Sequence, residues 1–80
     1  MNITEATVLR LEELCTINDL TFNALANIAG LPPSTLKNII NGNSKNPGII
    51  TIKILCDGLG ITIKDFFDSE LFCNLEQEIY

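Results

Sequence analysis

From Thr4 to about Ile17, apolar residues recur at helical spacing: Val8, Leu11, Leu14, Cys15 and Ile17. Arg10, Glu12 and Glu13 fall mostly on the other side. The pattern predicts an amphipathic first helix. Thr4 or Asn2 is its N-cap, because a short polar side chain there accepts a hydrogen bond from an unpaired backbone N–H. Asn18 and Asp19 suit the turn that follows. The stretch TFNALANIAG predicts a short second helix, capped by Thr21, with Leu25, Ala26 and either Ile28 or Ala29 facing inward. Gly30 ends it, since glycine takes a left-handed conformation at no steric cost. A third helix starts at Pro33, where a missing N–H costs nothing. Its apolar stripe is Leu36, Ile39 and Ile40, and Asn41-Gly42 closes it. The tight turn at Gly30 and Leu31 makes helices two and three a helix-turn-helix.

NGNSKNPG is a loop rich in turn residues. A fourth helix is expected from about Gly48 to Gly58, with Ile49, Ile52, Cys56 and then Leu59 inward and Gly60 as the stop. Thr62 and Asp65 have the spacing of a capping box and open a short fifth helix anchored by Ile63, Phe66 and Phe67. In the tail SELFCNLEQEIY, Leu71, Phe72, Leu75 and Ile79 also stand at helical spacing. No stretch alternates long enough for a strand. The expectation is a compact all-α domain of five helices over residues 1–68, with residues 69–80 a short C-terminal helical tail.

Composition narrows the function classes. Nearly half of the 80 residues are apolar and a fifth are charged, so a folded chain is expected. No apolar run approaches the ~20 residues that span a bilayer, and MNITEATVLR does not read as a signal peptide. The three widely separated cysteines fit buried thiols in a reducing cytoplasm better than a disulfide framework or a zinc site. Without histidine, the commonest general base and metal ligand are missing. Neither an enzyme nor a cofactor is expected.

Charge is unevenly placed. The chain has ten Asp and Glu against five Lys and Arg, yet no acid lies between Leu20 and Cys56, where Lys37, Lys45 and Lys53 fall. Divided at Gly30 and Leu55, the formal charge is −3, then +3, then −5. A middle segment cleared of acids suits the approach of a polyanion.

The residues LTFNALANIAGLPPSTLKNIINGNSKNP, followed by LCDGLGITIKDFF, resemble the Cro/repressor-type helix-turn-helix, or xenobiotic-response-element, family of transcriptional regulators. The likeness runs from about Val8 to Phe67. It rests on the Leu-Thr opening of helix two and its Leu-Ala pair, Gly at the turn, and Ser-Thr-hydrophobe early in helix three. Beyond them come Asn-Gly, Asn-Pro before helix four, and Leu-Gly-hydrophobe-Thr before an aromatic pair.

The resemblance implies a repressor of phage or mobile-element type with helix three in the major groove of double-stranded DNA. It implies that Pro33, Ser34, Lys37 and Asn38 face base edges. Phosphate contacts then fall to Thr21, Thr35, Asn41, Asn43, Ser44 and Lys45. Two residues depart from the family pattern. Phe22 stands where Gln is usual, and Pro33 where a polar reader is common. Few cations favour a homodimer, with two recognition helices about 34 Å apart, and Ile50 and Ile54 are the candidate dimer surface. The second reading is an antitoxin-like module that uses the fold to bind a protein.

Overall fold

The computed structural model describes residues 1–44 and 46–79. It contains α1 (Ile3–Ile17), α2 (Phe22–Ala29), α3 (Pro33–Ile40), α4 (Ile49–Leu59) and α5 (Ile63–Phe67), and then a single 3-10 turn at Glu70–Phe72. No strand occurs among the described residues. The helix starts follow local chemistry. Asn2, rather than Thr4, caps α1: its Oδ1 accepts from the Glu5 N–H at 2.8 Å, and Glu5 Oε1 accepts from the Asn2 N–H at 3.1 Å. The box expected at Thr62 and Asp65 forms at the start of α5, with its two bonds at 3.0 and 3.3 Å. By contrast, α3 begins at Pro33 and α4 after Gly48 with no side-chain cap.

Three helices stop in one way. Asp19, Gly30 and Gly60 take φ of 53°, 72° and 72°. The next residue's N–H then reaches five residues back: Leu20 to the Cys15 carbonyl at 2.8 Å, Leu31 to Ala26 at 2.9 Å, and Ile61 to Cys56 at 3.0 Å. Each of those three following residues is apolar and packs on the core, which completes a Schellman motif. The fourth stop differs. Gly42 has φ 77° and the Asn43 N–H bonds the Asn38 carbonyl at 3.0 Å, but Asn43 is polar and exposed. Asn43 therefore faces solvent where Leu20, Leu31 and Ile61 pack on the core.

The core gathers Leu11, Leu14 and Cys15 from α1, Leu25 and Ala26 from α2, and Leu36 and Ile39 from α3. Ile52, Leu55 and Cys56 come from α4 and Phe66 from α5. α2 packs on both α3 and α4. Gly58 permits the second contact, because a Cβ there would sit 3.2 Å from the Ala29 Cβ. Arg10 straps α1 to α5: its Nε and Nη2 donate to the Phe66 and Asp65 carbonyls at 2.7 and 2.8 Å. A guanidinium nitrogen also pairs with Glu13.

Several expected inward positions face solvent. Ile17 is 70% exposed, because the chain reverses at Asp19 and Leu20 enters the core in its place. Ile49, at 65%, is the first residue of α4 and lines an open depression with Ile3, Thr7 and Pro47. Ala29, not Ile28, supports the core from α2. The tail does not continue as an α-helix. Ser69 caps its one turn, and Phe72 packs edge-on to Phe67 with ring centres 4.9 Å apart. The Glu76 N–H then bonds the Met1 carbonyl at 3.1 Å.

Candidate nucleic-acid interface

α3 buries Leu36 and Ile39 and leaves Pro33, Ser34, Lys37 and Asn38 exposed. At about 100° per residue, those four share one outward face. They stand together because Pro33 fixes the helix start and the apolar stripe fixes its rotation. The face is bounded by two different depressions.

Toward α2, a depression of about 340 Å³ is lined by Thr21, Phe22, Asn23, Pro33, Lys37, Ile40 and Asn41. Thr21 Oγ1 accepts from the Ala24 N–H at 3.1 Å, so its lone pair caps α2 while its O–H remains a donor. Toward α4, a smaller depression of about 190 Å³ is lined by Thr35, Asn38, Ile39, Ser44, Asn46, Pro47, Gly48 and Thr51. The Asn38 carbonyl holds this loop by accepting the N–H groups of Asn43 and Ser44 at 3.0 and 3.2 Å. The uncapped start of α4 adds backbone N–H groups, a setting that favours an anion.

The expected contact residues therefore divide. Thr21, Pro33, Lys37 and Asn41 meet on one side of α3, and Thr35, Asn38 and Ser44 on the other. Ser34 and Asn43 are exposed and line neither depression. Lys45 lies outside the described residues. Asn23, Asn46 and Thr51 join the polar lining without having been singled out in the sequence. Their signal was position: one follows the start of α2, and the others flank the start of α4.

The electrostatics are less simple than the charge split implies. Lys53 pairs with Asp57 one turn along α4, so its charge is largely offset. Glu5, Glu76 and Glu78 line a further depression that also includes Gly42 and Asn46, bringing carboxylates to the edge of the loop after α3. Ile50 is 73% exposed and Ile54 half-buried, and the tail leaves Ile50 uncovered. Among the described residues, no group of three or more His, Cys, Asp or Glu is placed to hold a metal ion, and no helix is long and apolar enough to cross a membrane. Cys15 and Cys56 are buried, and burial pushes both thiols up from the ordinary range.

Comparison with known proteins gives two findings. Residues 10–70 match the family model of the Cro/C1-type HTH DNA-binding domain. The fold is similar to the crystal structure of the prophage Lp1 protein 11, with 42% sequence identity and a TM-score of 0.79, over 88% of this chain and 93% of that one. No curated protein matches.

Proposed function

The chain belongs to the Cro/C1-type helix-turn-helix DNA-binding domain family, and on that premise we propose that it is a sequence-specific transcriptional regulator, a small repressor that lays α3 in the major groove. The observation that carries this is the exposed face of Pro33, Ser34, Lys37 and Asn38, flanked by depressions lined with polar donors. Lys37 donates to guanine O6 or N7, Asn38 bonds adenine through both ends of its amide, and Ser34 serves either. Thr21, Thr35, Asn41, Asn43, Ser44 and Lys45 hold phosphates and fix the register. The prophage neighbour supports a phage-type regulator. Repression follows from occupying an operator and excluding other proteins.

Ile50, exposed on α4 beside half-buried Ile54, is proposed as the dimer surface. The protein-binding reading draws on Phe22, Pro33 and the net charge of −5, and one titration separates the two. Fluorescence anisotropy follows binding to random-sequence duplex DNA at low and near-physiological salt. If a dimer neutralises about four phosphates, affinity falls roughly a hundredfold between 50 and 200 mM salt. No binding at low salt refutes the DNA reading, and binding that survives Lys37→Glu with Lys45→Glu refutes the proposed face.

A further inference from the structure

The depression between α2 and α3 has a lining that phosphate binding does not explain. Phe22, the first residue of α2, and Ile40, the last of α3, both pack on the core and give it an apolar floor. Pro33 forms an exposed apolar wall. Lys37 and Asn41 follow Pro33 at intervals of four and, with Thr21 and Asn23, supply the polar rim. No acidic side chain lines the site.

A phenyl ring and a pyrrolidine ring donate no side-chain hydrogen bond, so neither can hold a phosphate oxygen or read a base's donor pattern. They gain by covering apolar surface. The major-groove edges of B-DNA offer one such group, the C5-methyl of thymine. Lys37 beside them supplies the charge that keeps this apolar spot on a polyanion.

We infer that Phe22 and Pro33 are a specificity-determining pair that receives a thymine methyl next to the base edge bonded by Lys37. The inference rests on the DNA-binding reading and narrows it to thymine at one position of each half-site. Replacing thymine by uracil deletes the methyl and leaves the hydrogen-bonding edge intact. One buried methyl corresponds to roughly a fourfold change in affinity.

The test begins by selecting the best-bound duplexes from a random pool with the full chain. Each is remade with uracil at single thymine positions and titrated. The expected result is one position per half-site where uracil weakens binding about fourfold. That ratio falls to one in both Phe22→Gln and Pro33→Ser; the second variant alters an exposed residue, so it does not depend on the core tolerating the first. Selected duplexes that bind equally with uracil at every position overturn this inference alone. A fourfold effect that persists in both variants also overturns it, since another residue then holds the methyl. A pool that yields no bound duplex, with no salt-sensitive binding, overturns the DNA reading and the inference together.

Discussion

Arg10→Met asks how much of the domain's stability depends on the strap between α1 and α5. Methionine keeps most of the aliphatic bulk and removes the guanidinium. Two charge-assisted hydrogen bonds go with it, those to the Phe66 and Asp65 carbonyls at 2.7 and 2.8 Å. Bonds to a charged group are worth about 1.5–3 kcal/mol each. The Arg10 side chain is only 12% exposed, so water replaces it poorly at Phe66, though Asp65 itself is exposed. A net loss of about 2–3 kcal/mol is expected. For a domain of this size that is a large share of roughly 4–12 kcal/mol, and Tm should fall by about 10–20 °C. Urea and thermal melts followed by circular dichroism measure both. The partner carboxylate gives the control: Glu13 is half-exposed, so Glu13→Gln should change stability by less than about 0.5 kcal/mol. The loss in Arg10→Met should persist in 1 M salt, because part-buried bonds are weakly screened. An Arg10→Met chain as stable as the parent refutes the strap.

Glu76→Gln with Glu78→Gln should raise affinity for random duplex DNA two- to fourfold at low salt, because both residues line the depression that Gly42 and Asn46 of the loop after α3 also line. The gain should vanish in 0.5 M salt, and equal affinities at low salt contradict that placement's electrostatic effect. A thiol reagent should label Cys73, which is exposed, well before Cys15 or Cys56; three equally fast thiols refute the packing. Because burial raises the Cys15 and Cys56 thiols, the folded state keeps protons that the unfolded chain releases above about pH 8.5. Stability from this source is full below that pH and declines as pH rises, which melts between pH 7 and 10 follow.

How far the fold was legible depended on how local each cause was. The Thr62–Asp65 box and the stops at Gly30 and Gly60 follow from residue chemistry within one turn, and the sequence carries them openly. Asp19 in a left-handed conformation is harder to see, because only its neighbour Leu20, seated in the core, explains why a non-glycine holds φ 53°. Periodicity located the inner faces of α1 and α4 but not how far along each helix a neighbour reaches, so Ile17 and Ile49 were misplaced at the ends. The tail's helical spacing gave way to contacts outside the tail, Phe72 on Phe66 and Phe67 of α5 and, far along the chain, Glu76 on Met1.

The candidate interface was legible as an exposed face and illegible as an arrangement. The spacing of Pro33, Ser34, Lys37 and Asn38 puts them on one side of any helix that buries Leu36 and Ile39. Which neighbour each one meets depends on α2 and α4, and those helices separate Lys37 from Asn38. The Lys53–Asp57 pair did have a local signal, an opposite charge four residues on, but it lies across the edge of the acid-free stretch. With Lys53 so engaged, the basic segment is weaker than its formal +3. Backbone attraction alone then gives little affinity. On the proposed DNA-binding reading, discrimination would come from fit at α3: neutral donors toward α4, and toward α2 an apolar floor rimmed by one lysine and neutral polar groups. On the same reading, an acidic body of net charge −5 would sharpen that contrast, since only a site matching both sides of α3 would recover enough energy to bind.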